Sequence, residues 1–205
     1  MYIPAFNRAT DDDEVLDFMR RYAFATIVTA KDGLPTATHL PFTVDRRGED
    51  LFLISHFARA NPQWMDLASH KALVIFSEPH AYISPQHYDH SINVPTWNYI
   101  SVHAYGDGRL LTDPTEAVRV LEGMIDTYEA AYRSQWDALP DDYRMKMLKG
   151  IVAFEVKVSE LLAKKKLSQN RSEAERDRII DALSASSDTN ETDIAAFMDR
   201  DRQKK

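Results

Sequence analysis

A predicted strand ends in Ser55 and His56, and Arg59 and Asn61-Pro62 follow within a few positions. Asparagine is a typical N-cap and proline is tolerated in the first helical turn, so a helix is predicted to begin here. The unpaired N–H groups of a helix start and the planar guanidinium of an arginine both bind phosphate. The spacing therefore indicates a phosphate cradle. The same residues also fit a simple capped helix whose arginine lies in water.

Three further segments place polar or aromatic side chains at the ends of predicted strands. The first offers a hydroxyl and backbone amides to the edge of a flat heterocycle, and the second offers an aromatic wall and an amide. The third combines cationic and neutral donors that suit a phosphate or a sugar-like chain. The candidate binding residues are Thr38, His39, Trp97, Asn98, Lys166, Ser168 and Gln169. Structural interpretations remain open for each segment, because threonine favours strands, aromatic residues pack in cores and interfaces, and lysine-rich turns are solvated.

No local catalytic motif is present in the sequence. The chain has no Gly-rich phosphate loop, no G-x-S-x-G turn and no H-E-x-x-H pair. It has no cysteine, and its 7 histidines are loosely spaced. A metal site would then need carboxylates to complete it, and we expect none. We therefore assign no catalytic residue and no metal ligand from the sequence.

The charge balance argues against DNA as the main ligand. The chain carries 25 Lys and Arg against 32 Asp and Glu, for a formal net charge of −7. A duplex-binding surface usually shows a clustered basic face, and the dense basic cluster here is limited to Lys164–Lys166. In the predicted helix over residues 172–183, Arg176 and Arg178 are interspersed with acids. We expect direct DNA binding to be doubtful.

The first residues and the apolar runs of the sequence indicate where in the cell the protein is expected. No apolar segment follows a basic patch near residue 1, so a secretory signal is not expected. The longest apolar runs are strand-sized and too short to cross a bilayer. We expect a cytoplasmic protein with no membrane segment.

Alternation and turn signals predict about six strands with helices inserted between them. The strands are expected over residues 22–30, 34–44, 50–56, 72–76, 96–111 and 151–162, with a hairpin turn at Asp32-Gly33. Helices are expected after Thr10, after Asn61 to about Ser69, after Asp113, and after Ser172, where Ser172 and Glu175 form a capping box. This pattern favours a mainly β protein with helical insertions (α+β), built on an antiparallel barrel. Residues 1–167 would form the barrel domain. Residues 168–205 would form a C-terminal helix and a polar tail, with disorder or a linker expected over 184–193 and at best one weak helical turn over Ile194–Met198.

Six sequence blocks, in order from residue 1 to about residue 183, resemble the PaiB-type FMN-binding family. The blocks are Met1–Pro4, Ala37–Pro41, Ala58–Trp64, Pro79–Pro85, Val94–Tyr99 and Lys166–Arg171. The resemblance implies an FMN-binding split antiparallel β-barrel, similar to pyridoxamine-phosphate oxidases and flavin reductases. It also implies FMN as cofactor, a homodimer with two flavin sites built from both subunits, and negative regulation of transcription. One departure is Lys165, which stands where the family pattern leads us to expect tryptophan.

Two classes of function remain open after the resemblance. The first is a flavin-binding regulator of transcription with little or no turnover. The second is a flavin-dependent oxidoreductase of the pyridoxamine-phosphate-oxidase or flavin-reductase type, in which the cofactor carries the chemistry and the protein supplies position and access. Related folds serve many chemistries, so the fold does not choose between them. The rate at which NADH or NADPH reduces the flavin would discriminate the two.

Overall fold

The computed structural model describes residues 1–203. Its strands are β1 Phe24–Lys31, β2 Leu34–Pro41, β3 Thr43–Arg47, β4 Asp50–Ala58, β5 Lys71–Phe76, β6 His80–Ile83, β7 Thr96–Leu110 and β8 Ile151–Lys166. Its helices are α1 Asp12–Arg21, α2 Gln63–Leu67, α3 Pro114–Tyr128, α4 Arg133–Ala138, α5 Asp141–Leu148, α6 Glu173–Ser184 and α7 Thr189–Gln203. Short 3-10 turns lie at Ala5–Asn7, Pro85–His87 and Ala130–Tyr132. None of these helices is both long and apolar enough to cross a bilayer.

The described strands form one 8-stranded sheet in the order β2-β1-β5-β7-β8-β4-β3, with β6 paired to β7. The pairs β1–β2, β3–β4, β4–β8 and β6–β7 are antiparallel. Helices are inserted between the strands, as the alternation of sequence patterns predicts. Strands β2 and β3 are the two ends of the order, and each therefore has one unpaired edge.

The chain divides into two compact units. Unit 1 consists of Met1–Val15, Ser77–Val102 and Leu162–Lys205. Unit 2 consists of Leu16–Phe76 and His103–Leu161. Each unit draws on segments that are far apart in sequence, so contacts within a unit cannot be read from local pattern alone.

In unit 2, the β1–β2 hairpin turns at Asp32-Gly33, as predicted. Both residues have positive φ, 51° and 80°, which is the conformation that a two-residue hairpin turn requires. The core beneath the sheet is aromatic. Phe57 stacks on Phe154 with ring centroids 4.7 Å apart, and Phe42 meets Phe154 edge-on at 6.1 Å. These rings are buried and fix the spacing of β4 and β8.

In unit 1, α6 begins with the capping box that the sequence predicts. The Ser172 hydroxyl accepts from the Glu175 N–H at 3.2 Å, and the Glu175 carboxylate accepts from the Ser172 N–H at 3.1 Å. These bonds satisfy two backbone donors that a helix start leaves unpaired. Helix α6 then runs to Ser184.

The disorder expected over residues 184–193 is wrong, as is the prediction of one weak helical turn after it. Helix α7 begins at Thr189 and packs against α6 and β6. Its apolar residues Ile194, Phe197 and Met198 are buried, with Ile194 and Met198 fully inaccessible. The run of five apolar residues Ile194–Met198 lacks the spacing of an amphipathic helix, so it is a weak helix signal on its own. Tertiary packing supplies the stabilisation that local propensity lacks.

Met198→Ala is expected to lower the free energy of unfolding by about 2–4 kcal/mol, because it leaves a cavity in a fully packed site. Urea denaturation would measure the change. Met147→Ala is the matched control, since the Met147 side chain is 43% exposed. It should shift stability by no more than about 0.5 kcal/mol. Equal effects of the two substitutions would contradict the packed position of α7.

Candidate functional site

In unit 2, the side chain of Gln63 ties the start of α2 to the β1–β2 hairpin. It is 1% exposed. Its Nε2 donates to the Ile27 carbonyl at 3.2 Å, the Thr29 hydroxyl at 3.3 Å and the Thr36 carbonyl at 3.0 Å. A buried amide is tolerated only when its donors and acceptor are paired, and these bonds pair them. Sequence reasoning did not select Gln63, because no local pattern shows these long-range partners.

Two predicted site residues, Thr38 and Asn61, join this glutamine. The Thr38 hydroxyl donates to Gln63 Oε1 at 2.5 Å and accepts from Asn61 Nδ2 at 2.9 Å. Asn61 Oδ1 in turn accepts from the Gln63 backbone N–H at 3.0 Å. The structure therefore brings Thr38 and Asn61 together. One N–H of the Asn61 amide has no partner within this network.

The helix that follows Asn61 is shorter than predicted. Helix α2 has 5 residues, begins at Gln63 rather than Pro62 and ends at Leu67 rather than about Ser69. Asn61 closes a side-chain turn onto Gln63 instead of capping a long helix. So short a helix has little dipole, and the Gln63 and Met65 N–H groups at its start are already paired with Asn61 Oδ1 and the Pro62 carbonyl. The helix-start component of the phosphate cradle stays a prediction.

His39 lies apart from this network, although it follows Thr38. Neighbouring side chains on a strand point to opposite faces. The His39 ring is exposed and stacks against Phe24, with ring centroids 6.4 Å apart and planes 23° from parallel. The structure therefore does not place His39 with Thr38 and Asn61.

Ser55 and His56 differ in what they can offer a ligand. The Ser55 hydroxyl is 0% exposed and donates to the Pro41 carbonyl at 2.7 Å. His56 is half-buried, and its Nδ1 is buried with no hydrogen-bond partner among the described residues. Burial lowers the pKa of His56 below its ordinary value, so the ring is neutral at pH 7. An unpaired buried nitrogen of this kind suits a polar ligand group.

Arg59 is exposed, but its guanidinium is hydrogen-bonded to backbone carbonyls. Its Nε donates to the Lys149 carbonyl at 3.3 Å, and one terminal nitrogen donates to the Ile151 carbonyl at 2.7 Å. The Arg59 N–H also donates to the Gly150 carbonyl at 2.8 Å. These contacts hold the guanidinium in a defined position. They use two of its five N–H donors, and the remainder are not engaged by these carbonyls.

In unit 1, Lys166 and Trp97 lie together. Lys166 Nζ donates to the Trp97 carbonyl at 2.6 Å and to the Thr96 hydroxyl. Burial, with a smaller contribution from Lys164, lowers the pKa of Lys166. The Trp97 side chain is 52% exposed, and its ring meets Tyr82 edge-on at 5.8 Å. The Lys166 ammonium thus contacts the backbone of Trp97, whose ring is accessible, at the start of β7.

Asn98 and Ser168 hold unit 1 together rather than facing solvent. Ser168 Oγ donates to Asn98 Oδ1 at 3.1 Å, and Asn98 Nδ2 contacts Met198 Sδ at 3.4 Å. Both residues are buried. Ser168 also has a φ of 58°, in the left-handed region that non-glycine residues seldom adopt. The hydrogen bond to Asn98 helps to hold this conformation.

Gln169 and Lys165 are likewise occupied within unit 1. Gln169 Nε2 donates to the Lys165 carbonyl at 2.6 Å. Lys165 Nζ pairs with Glu14 at 2.8 Å and lies 3.6 Å from Asp201. The lysine that replaces the expected tryptophan therefore has two carboxylate partners. Its charge is balanced inside unit 1 and is not presented to a ligand.

Comparison with known proteins decides the family. Residues 1–160 match the sequence profile of a family described as "Putative FMN-binding domain". The chain belongs to this family. It is 38% identical to the "Protease synthase and sporulation protein PAI 2" of Bacillus subtilis, over 100% of this chain and 99% of that protein. It is 28% identical to the protein AN0679 of Emericella nidulans, over 70% of this chain and 73% of that protein. The PaiB-type resemblance is thereby confirmed.

Solved structures are similar in fold. The flavocytochrome Anf3 of Azotobacter vinelandii superposes with a TM-score of 0.63 at 16% identity, over 80% of this chain and 72% of that one. The FAD and heme binding protein of Mycobacterium smegmatis gives 0.61 at 18% identity, over 78% and 73%. At these identities the likeness shows the fold alone. It confirms the predicted split antiparallel β-barrel, and family membership supports the flavin cofactor.

The donor set of unit 2 fits a phosphorylated flavin. His56 presents a buried nitrogen without a partner, Arg59 presents a positioned guanidinium, and Asn61 retains an amide N–H. A flavin has a polar ring edge and an anionic phosphate, and these are the groups that neutral and cationic donors recognise. Bound flavin supplies redox chemistry, while the protein side chains orient it.

Gln63→Leu is expected to lower the free energy of unfolding by about 2–3 kcal/mol, because buried carbonyls on β1 and β2 lose their donor. Thermal or urea unfolding would measure the loss. Gln86→Leu is the control, because Gln86 is exposed. A stability change at Gln63 no larger than that at Gln86 would contradict the role of the buried amide.

Acidification should destabilise the protein in part through His56. The pKa of His56 is lowered in the folded state from an ordinary value of 6.5. The unfolded chain then binds the proton more readily, so this contribution to stability is lost as pH falls from about 6.5 through the folded pKa. His56→Asn should therefore lose less stability between pH 7 and pH 5 than wild type does. The exposed His90→Asn variant should behave as wild type, and parallel curves for all three would contradict this assignment.

Proposed function

We propose that the protein is a homodimeric FMN-binding regulator of transcription of the PaiB type. The observation that carries the proposal is the match to the Bacillus subtilis protein, which spans the full length of both chains. A full-length match at this identity supports a shared binding function more strongly than a fold likeness does. A cytoplasmic location is part of the same proposal.

Arg59 is the proposed contact to the flavin phosphate. Carbonyls of the segment 149–151 hold its guanidinium in place. A positioned guanidinium loses less conformational entropy on binding than a mobile one, and its planar donors match phosphate oxygens. With α2 so short, the guanidinium rather than a helix dipole would select the phosphate.

Thr38, His56 and Asn61 are the proposed contacts from unit 2 to the rest of the flavin. Each retains a hydrogen-bonding group beyond the contacts described above, and His56 is neutral at pH 7. Trp97 and Lys166 are the proposed contacts from unit 1, because one presents an exposed ring and the other an ammonium. His39, Ser55, Asn98, Ser168 and Gln169 remain candidate contacts from the sequence.

Exposed aromatic side chains support a homodimer. In unit 1, Tyr82 is 47% exposed and Trp97 is 52% exposed, side by side on the β6–β7 pair. In unit 2, Phe24 is 70% exposed and Leu34 is 73% exposed on the β1–β2 hairpin, where β2 has an unpaired edge. Large apolar groups beside an open edge are typical of surfaces covered by a partner.

The engagement of Arg176 and Arg178 supports regulation without direct DNA contact. Arg176 is 3% exposed and pairs with Asp201 at 3.2 Å. Arg178 pairs with Asp89 at 2.6 Å and donates to the His87 carbonyl at 2.9 Å. A groove-reading helix needs free donors on one face, and these two are already bound within unit 1. Regulation is then exerted through the flavin, a small molecule or a protein partner.

FMN should bind more tightly than riboflavin, and Arg59→Ala should weaken FMN binding by about tenfold or more while leaving riboflavin affinity unchanged. Calorimetry with both flavins would measure this. The exposed Arg20→Ala variant is the matched control, since its guanidinium pairs with Asp17 on its own helix. Equal affinities of the wild-type protein for FMN and riboflavin would contradict the phosphate contact.

Three further measurements test the wider proposal on the same preparations. Light scattering should report a dimer, and a monomer that still binds FMN tightly would contradict the shared-site dimer. Rapid reduction of bound flavin by NADH or NADPH would instead favour the oxidoreductase class. A footprint on a defined operator at physiological salt, abolished by Arg178→Glu, would contradict indirect regulation.

A further inference from the structure

A cavity lies in unit 2, and its lining does not include the hydrogen-bond network around Gln63. Its volume is about 340 Å³, and segments of β7, β8, α3 and α5 contribute to its wall. The lining is mostly apolar and includes Leu110, Ala117, Met145 and Leu148. The volume falls within the range of small-molecule sites, and apolar walls of this kind favour a ligand with a hydrocarbon body.

The charged side chains that line this cavity are all positive. Arg59 and Lys149 are the only charged residues among the described residues that line it, and no carboxylate accompanies them. Arg59 is held against the carbonyls of Lys149 and Ile151, so one cation is positioned at the wall. An apolar cavity with two cations and no acid is complementary to an amphipathic anion.

A neighbouring cavity of unit 2 shows the contrast. It is larger, about 500 Å³, and is lined by Arg47, Arg109, Arg119, Asp45, Glu116 and Glu155. Glu155 is buried and accepts from Arg47 and from Arg109, each at 2.9 Å. Cations and acids there are equal in number, so internal ion pairs offset the positive charge. Of these two cavities, the smaller one is lined by cations without acids.

We propose that the smaller cavity binds an apolar carboxylate, with the carboxylate near Arg59 and Lys149 and the hydrocarbon body against the apolar wall. The proposal does not rest on the proposed flavin function, although both ligands would contact Arg59. Arg59 is the one proposed flavin contact that also lines this cavity, since Thr38, His56 and Asn61 are absent from its described lining. A ligand here and a flavin could therefore influence each other through Arg59.

Calorimetry with octanoate, octan-1-ol and octylammonium tests the charge preference on the full chain. Octanoate should bind more tightly than octan-1-ol, and octylammonium should bind most weakly. Hexanoate should bind about fifteenfold more weakly than octanoate, because it lacks two methylenes and each buried methylene contributes about fourfold in affinity. Octanoate that binds no better than octan-1-ol would overturn the proposal, as would no binding at millimolar concentration.

Two variants locate the site without changing the proposed flavin contacts. Lys149→Gln should weaken octanoate by up to about fivefold, as expected for an exposed cation, and leave octan-1-ol unchanged. Lys146→Gln is the matched control, an exposed lysine of α5 that is not part of the lining. Ala117→Leu should fill the cavity and abolish octanoate binding. If Ala117→Leu does not fold, the Lys149 and Lys146 pair decides, and equal effects of that pair would overturn the proposal.

Competition with FMN separates this site from the flavin site. Saturating FMN should weaken octanoate binding, because its phosphate engages Arg59, but octanoate should stay bound through Lys149 and the apolar wall. If FMN displaces octanoate completely and competitively, the cavity belongs to the flavin and the proposal of a second site is overturned. Octanoate binding to a preparation that binds no FMN would support the cavity site while counting against the proposed flavin function, so the two failures are distinguishable.

Discussion

The buried amide of Gln63 is the interaction on which the candidate flavin site depends. Its Nε2 joins carbonyls of β1 and β2, and its Oε1 accepts from Thr38. An amide in this position cannot move without leaving buried donors and acceptors unpaired, at a cost of about 1–3 kcal/mol for each group. The start of α2 is therefore fixed to the hairpin by polar bonds. Thr38 and Asn61 take their positions from the same amide.

A second restraint acts on Arg59, which lies in the short segment between β4 and α2. Carbonyls of the segment between α5 and β8 accept from its side chain and its backbone. Because α2 has only 5 residues, little helix dipole is available to attract an anion. We therefore expect side-chain hydrogen bonds, rather than a helix end, to set where positive charge meets a ligand. Each of these hydrogen bonds is made by one side chain, so a single substitution removes it.

The parts of the structure that were predictable from sequence are those set by neighbouring residues. The Asp32-Gly33 turn and the Ser172–Glu175 capping box follow from local backbone requirements, and both were predicted. Helix α7 and the role of Gln63 were not predicted, because their stabilisation comes from partners distant in sequence. The partners of Lys165, Glu14 and Asp201, are distant in the same way. The family blocks indicate candidate segments, but not which side chains in them are already hydrogen-bonded within the chain.

The distribution of positive charge explains why an acidic protein can still select anions. Most arginines described above are neutralised within their own unit: Arg176 by Asp201, Arg178 by Asp89, and Arg109 by Glu155. Pairing of this kind offsets the positive charge of these side chains locally. Arg59 is held instead by neutral carbonyls, which position the guanidinium without cancelling its charge. A cation positioned by neutral acceptors keeps its attraction for a small anion, and this is where a phosphate or a carboxylate should be recognised.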